Sequence, residues 1–142
     1  MVDMDPHGGL ITGDLVDWLN TMGFDFEVHE VPKVPDLPER VCVLTRTGGP
    51  GLYLGDGFDR IVFQTKCRGE TSDPSRSTNR DAERMSWQID AALLGADAPT
   101  IGGVPTLGFV RTGSPPTPDE DTGDRVTMSC NYGVSAASVL NQ

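Results

Sequence analysis

Acidic side chains that could bind a metal or act as acid and base are concentrated in one short segment, PTPDEDTGDR, residues 116 to 125. A calcium loop of the helix-loop-helix type that began at Asp119 would need a third acid at Gly123, a glycine at Asp124 and a glutamate at Cys130. None of these requirements is met, and the segment is expected to form an acidic hairpin turn. Its acids are Asp119, Glu120, Asp121 and Asp124.

Two other features could support ligand binding or catalysis, and neither has the required surroundings. The segment GGPGLYLGDG, residues 48 to 57, lacks the Gly-Lys-Ser/Thr of a phosphate loop, joins two predicted strands and carries Asp56, which would repel a phosphate. The histidines His7 and His29 stand in no recognisable catalytic arrangement, and no G-x-S-x-G nucleophile motif occurs. A triad of residues distant in sequence stays open, but we predict a protein without enzymatic activity, metal or cofactor.

The composition points to protein partners. The 142 residues carry a net charge of −10, which disfavours general binding to nucleic acid phosphates or anionic lipids. Neither a signal peptide nor an apolar run long enough for a membrane span is recognisable, so a soluble protein made in a reducing compartment is expected. Three cysteines fall in strand-like segments without C-x-x-C spacing, and we predict buried thiols at Cys42, Cys67 and Cys130.

The hydrophobic pattern predicts a single α+β domain, residues 1–142, with flexible ends at 1–8 and 137–142. Ile61, Phe63, Thr65 and Cys67 alternate with polar residues, as in a strand with one buried face. We expect a mainly antiparallel sheet of about four to five strands, two helices on one of its faces, and long Gly/Pro loops. The predicted helices run from Pro6 or Thr12 to Met22 and, with Asp73 as its cap, from Pro74 to Leu94; the predicted strands cover 24–28, 41–47, 59–68, 106–112 and 125–136.

Long loops and uneven charge are the remaining features of the sequence. Six of the 11 basic residues lie between Arg60 and Arg84, which makes this stretch about neutral while the rest of the chain is acidic. The basic residues are either ordinary solvated side chains or a patch complementary to an acidic partner. Gly/Pro loops at 31–40, 48–58, 98–105 and 112–124 are expected to be contact loops that become ordered on assembly.

Two segments carry a resemblance to a known family. FDRIVFQTKCRGETSDPSRSTNRDAERMSWQIDAAL, followed later by DTGDRVTMSCNYGV, resembles the small tail-terminator and minor capsid proteins of long-tailed bacteriophages, over residues 10 to 136. The resemblance implies a six-membered ring that sits on the last ring of the tail tube, stops its growth and meets the head-completion proteins. It also implies a virion protein of the head-tail junction, assembled in the host cytoplasm, whose partners are itself, the tube protein and a head-completion protein. From the charge and the hydrophobic pattern we expect no nucleic acid specificity and no membrane partner.

On this resemblance we predict the residues that join neighbouring subunits. Arg68, Arg80 and Arg84 are expected to face Asp119, Asp121 and Asp124 of a neighbour, and Tyr53 and Leu54 to be apolar anchors for the tube or the head. Arg68 could equally bind a carboxylate of its own chain. Two other functions stay open at this point: a head-completion or connector adaptor protein, and a small cellular ligand-binding domain.

Overall fold

A computed structural model describes residues 10–31, 34, 39–48, 58–70, 79–120 and 126–137 of the chain. Within these residues no helix is both long and apolar enough to cross a lipid bilayer. The helices are α1 (Thr12–Asn20) and α2 (Arg80–Leu94), and the strands are β1 (Glu27–His29), β2 (Val41–Gly48), β3 (Phe58–Arg68), β4 (Thr100–Ile101), β5 (Val104–Arg111), β6 (Thr117–Glu120) and β7 (Val126–Ala137).

The strands form one curled sheet in the order β1-β2-β3-β7-β5-β4, with β6 also paired to β7. Every pair is antiparallel except β1 and β2, which run parallel, so the sheet is mixed. The α+β class is confirmed, but the expectation of four to five strands is wrong, because the described residues contain seven. Strands of two to four residues, such as β4 and β6, are too short for an alternating pattern to be recognised.

Two segments predicted to be loops contain strands. Ile101 pairs with Val104 around Gly102 and Gly103, whose φ angles of 56° and 78° give the two-residue turn that suits the twist of a β-hairpin. The predicted acidic turn at 112–124 likewise contains β6, which pairs with β7 at Thr117 and Ser129. β5 and β6 therefore lie one after the other along the same edge of β7.

The core lies on one face of the sheet. It is the face that the alternation of apolar and polar residues in β3 predicts to be buried. Ile61, Phe63 and Cys67 are buried there, and Phe63 is paired with Tyr132 of β7. Both helices pack on this face and add side chains to the same cluster.

All three cysteines are buried and free, as predicted. Of the ends expected to be flexible, 1–8 and 138–142 lie outside the described residues, and Ala137 is the last residue of β7.

The beginning of α2 differs from the sequence prediction. Asn79 has an extended backbone, and its side chain accepts a hydrogen bond from the amide of Ala82, so Asn79 is the N-cap and a helix cannot continue through it from Pro74. The strand end approaches this cap closely: a Cβ at Gly69 would lie 2.5 Å from the Ala82 nitrogen. The proposed cap Asp73 lies outside the described residues.

Candidate contact surface

Potential metal ligands and one histidine, His29, are present among the described residues. The described residues contain no cluster of three or more His, Cys, Asp and Glu side chains that could hold a metal ion. The imidazole of His29 has one side-chain partner, Glu27, at 2.9 Å, and both side chains are exposed to solvent. The candidate site has to be sought among the exposed side chains.

The most distinctive exposed surface of the described chain runs along α2. One stripe of the helix faces solvent, at the spacing of three to four residues that keeps side chains on one side. It is cationic where the helix begins and apolar towards its end, with Trp87 47% exposed and Leu94 41% exposed. We call this surface the α2 stripe; it consists of Arg80, Arg84, Trp87, Gln88, Ala91 and Leu94.

Trp87 is held in place by a polar network, although it is exposed. The guanidinium of Arg111 lies over its ring, 5.5 Å from the ring centre, which is the geometry of a cation–π contact. Nε and Nη2 of Arg111 donate to the two carboxylate oxygens of Asp90 at 2.8 and 2.6 Å. The hydroxyl of the fully buried Tyr132 also donates to Asp90, at 2.9 Å. The network therefore connects the exposed indole to the central strand of the sheet.

The charges of this network are well matched. The hydrogen bonds from Arg111 hold the pKa of Asp90 below its ordinary value, against the opposing effect of burial. Burial is the main cause that raises the pKa of Tyr132, so its hydroxyl remains a donor at neutral pH.

The missed signal in the sequence was Asp90 itself, an acid within the apolar stripe of the second helix. Its partners lie 21 and 42 residues further along the chain and could not be assigned from spacing.

A second network fixes the first turn of α2. Arg40 donates to Asp81 from Nε at 2.8 Å and from Nη2 at 3.1 Å, and it also contacts Asp25. The amide of Glu70 donates to Asp81 at 2.8 Å. Burial acts to raise the pKa of Asp81, but the hydrogen bonds from Arg40 and Glu70 outweigh it and the pKa is lowered. Both halves of α2 are thus attached to the sheet by buried or half-buried polar contacts.

The predicted cationic contact residues lie in two different environments. Arg80 and Arg84 are exposed on the α2 stripe, and neither forms an ion pair within the part of the chain that the structure describes. Arg68 is only 4% exposed, and its Nε donates to the carbonyl oxygen of Glu39 at 3.0 Å. The stretch between Arg60 and Arg84 therefore does not form one continuous basic patch.

Of the predicted acidic contact residues, only Asp119 is described. It lies in β6 opposite Thr127, on the face of the sheet away from the helices. Its Oδ2 accepts a hydrogen bond from Ser129 at 3.2 Å and pairs with Lys66 at 3.3 Å. Asp121, Asp124, Tyr53 and Leu54 lie outside the described residues. The predicted contact between the three arginines and the three aspartates stays a prediction.

A further exposed surface is formed by α1 and β1. Residues 10 to 31 contain five acids and no lysine or arginine. Two apolar side chains are exposed there, Ile11 at 45% and Met22 at 39%. Beside the N-terminus of α1 lies an open groove of about 290 Å³, lined by Thr12, Glu30, Val31, Leu44, Thr45 and Arg46. We call this surface the α1–β1 face.

Comparison with known protein families identifies the chain. The family model described as bacteriophage tail terminator protein matches residues 10–137, which span every helix and strand of the structure. No curated protein and no solved structure is significantly similar to the chain. The chain belongs to the bacteriophage tail terminator family, and it is therefore a virion component.

Proposed function

We propose that this protein caps the tail tube of a long-tailed bacteriophage as a ring and joins the finished tail to the head. The match of the tail terminator family model to residues 10–137 carries this proposal. The role is structural: the protein stops tube growth by occupying the tube end and presents its other side to a head-completion protein.

The exposed surfaces of the chain support assembly into a ring. A closed ring joins two different patches of one subunit, head to tail, so the two patches need to be complementary to each other. The α2 stripe supplies one such patch, with two exposed arginines and an exposed tryptophan, a residue type that often dominates the binding energy of interfaces. We assign Arg80 and Arg84 to the ring contact, and Tyr53 and Leu54 to contact with the tube or the head.

Tail length tests the proposal. Tails assembled without the protein should grow beyond their normal length, and addition of the purified protein during assembly should restore one uniform length. Gold-labelled protein should be found at one end of each tail by electron microscopy. Tails of normal length in its absence would contradict a terminator role.

A binding experiment separates the other two functions. Immobilised protein should retain purified tails and, more weakly, tailless heads. Retention of tailless heads alone would indicate a connector adaptor. Thermal stabilisation by a small metabolite, together with no retention of either particle, would indicate a ligand-binding domain.

A further inference from the structure

We infer that the α2 stripe of one copy docks on the α1–β1 face of a second copy, with Trp87 entering the groove beside the N-terminus of α1. This inference rests on the proposed ring and names the two surfaces that meet in it. The partner of the α2 stripe is thus a second copy of this chain, and the acidic side of the contact is formed by α1 and β1 instead of the turn around Asp119.

The position of Arg80 is the first observation that supports a partner. The N-terminus of a helix carries partial positive charge and favours acids over bases. Arg80 is nevertheless the first residue of α2, and it is exposed and forms no ion pair within the described residues. Arg84 lies one turn further along the same exposed stripe. Arg84 attracts Asp81 of its own helix, but both arginines remain exposed and are suited to an acidic partner.

The α1–β1 face supplies the complementary charge. Two of its five acids already have partners within the chain, since Asp25 pairs with Arg40 and Glu27 with His29. Asp17 and Glu30 are exposed and have no ion pair among the described residues. Arg46 also lines the groove, so we assign the attraction for the α2 arginines to Asp17 and Glu30. Complementary charge of this kind sets the orientation of a contact and increases its rate of formation.

Trp87 supplies the apolar anchor. The network behind it already restricts the indole, so less conformational entropy is lost on docking than for a freely rotating side chain. The groove of about 290 Å³ is open to solvent, with the half-buried Val31 among its lining residues and the buried Leu44 beneath it, and it can receive a single aromatic side chain. An indole that fills such a groove loses its contact with water, which is the main source of binding energy at the centre of an interface.

Two alternative contacts between copies are less well supported by the structure. Pairing of a neighbour's strand with β1 is blocked at Val28, because the side chain of Asn20 bonds both its amide and its carbonyl, at 3.0 and 2.9 Å. Asp119 already has Lys66 and Ser129 as partners in its own chain. On the α1–β1 face, Asp17 and Glu30 have no ion pair among the described residues, and the groove lies beside them.

A cross-linking experiment tests which surfaces meet. One chain carries Gln88→Cys on the α2 stripe and another carries Thr45→Cys at the groove; the native cysteines are buried and should stay unreacted. Mixed with oxidised glutathione, which takes up the two electrons and protons of the two thiols, these chains should give a mixed disulfide dimer. The matched control replaces Thr45→Cys by Thr117→Cys, beside Asp119 in β6. A dominant 88–117 dimer, or a dimer of two Gln88→Cys chains, would overturn the inference.

Charge reversal gives an independent readout. Arg84→Glu should weaken self-association about tenfold in sedimentation velocity, and addition of Glu30→Arg to the same chain should restore most of it. Addition of Asp119→Arg should not restore it. Restoration by Asp119→Arg in place of Glu30→Arg would refute the α1–β1 assignment.

Both experiments are performed with and without purified tail tubes, so that two kinds of failure are distinguished. Tails of normal length capped by the protein, without the 88–45 cross-link, would overturn this inference and leave the proposed function intact. Absence of the protein from tail ends would overturn the proposed function and the ring contact together.

Discussion

The two helices cover the same face of the sheet but are attached to it in different ways. α2 has a side-chain N-cap at Asn79 and ionic contacts through Asp81 and Asp90. α1 has no side-chain cap at Ile11; it is held by three buried apolar side chains, by the stacking of Trp18 on Phe109 and, at its end, by the hydrogen bonds between Asn20 and Val28. The polar contacts of α2 therefore fix the direction in which the α2 stripe faces, whereas α1 is held mainly by apolar packing. Five substitutions test this difference.

Leu15→Ala should have the largest effect, because apolar burial carries most of the attachment of α1. Leu15 is fully buried, and its truncation is expected to lower the free energy of unfolding by about 3 kcal/mol. Urea denaturation measures the loss. Asp17→Ala, on the exposed side of the same helix, should stay within about 0.5 kcal/mol of the wild type. Equal losses for the two variants would show that α1 does not depend on its buried side.

Gly69→Ala should disturb α2 where its first turn meets β3. The added Cβ would lie 2.5 Å from the backbone nitrogen of Ala82, so the helix start or the strand end has to move, at a cost of about 2 kcal/mol. Chemical denaturation of the variant measures this cost. Gly113→Ala is the matched control, because a Cβ there meets open space. A neutral Gly69→Ala variant would mean that the α2 cap is loosely attached.

Asp90→Asn should lower stability by about 1–2 kcal/mol at pH 7, because the amide nitrogen that replaces Oδ2 cannot accept from Nη2 of Arg111 and the negative charge is lost. The pKa of Asp90 is lowered in the folded state, so its stabilising effect is present above the unfolded value of about 4 and is lost as pH falls through the folded value.

Thermal unfolding between pH 7 and pH 2 checks this dependence. The difference between wild type and Asp90→Asn should shrink below about pH 4. Asp97→Asn, at an exposed acid in the segment after α2, is the control and should leave the profile unchanged. A constant difference over the whole range would argue that Asp90 is not ionised in the folded protein.

The smallest effects are expected at the helix caps. Asn79→Ala removes the bond to Ala82 and should cost about 1 kcal/mol. Ile11→Ser, by contrast, offers α1 the side-chain cap that it lacks and should stabilise the protein by about 0.5 kcal/mol. Denaturant titrations should give a lower free energy of unfolding for Asn79→Ala and a higher one for Ile11→Ser. This result would confirm the contrast between the helices. A loss at both positions would mean that the apolar contacts of Ile11 outweigh a cap.

The sequence predicts the features that depend on local pattern. The alternation of β3 and the end of α2 at Leu94 agree with the structure. Gly23 follows α1 in the expected left-handed conformation, with a φ angle of 81°. The helix itself ends two residues before the predicted Met22. Features that depend on distant partners were not predicted. The cap at Asn79 is not predicted, because Asp73-Pro74 has an equally good helix-start composition and the close approach of Gly69 to the Ala82 nitrogen is invisible in the local pattern.

The candidate surface could be predicted only in part, because some of its residues depend on partners that are distant in sequence. Arg80 and Arg84 are exposed, as charged residues on a helix are unless they are paired, and their predicted contact with a neighbour stays a prediction. The burial of Arg68 depends on the carbonyl of Glu39, which lies 29 residues earlier. The role of Trp87 depends on Arg111, in a strand that follows the helix. Contacts between residues this far apart in sequence are set by the topology of the sheet, which the hydrophobic pattern alone does not predict.

The two tryptophans of the chain report on different events, because their surroundings differ. Trp18 is stacked on Phe109 at 5.4 Å and is partly buried against the core, so its emission should shift to the red when the protein unfolds. Trp87 is exposed beside a guanidinium, and its emission should shift to the blue when a neighbour covers it. A Trp18→Phe variant would leave a single native tryptophan at the surface, which would report in real time, without any attached dye, whether another molecule covers the α2 stripe.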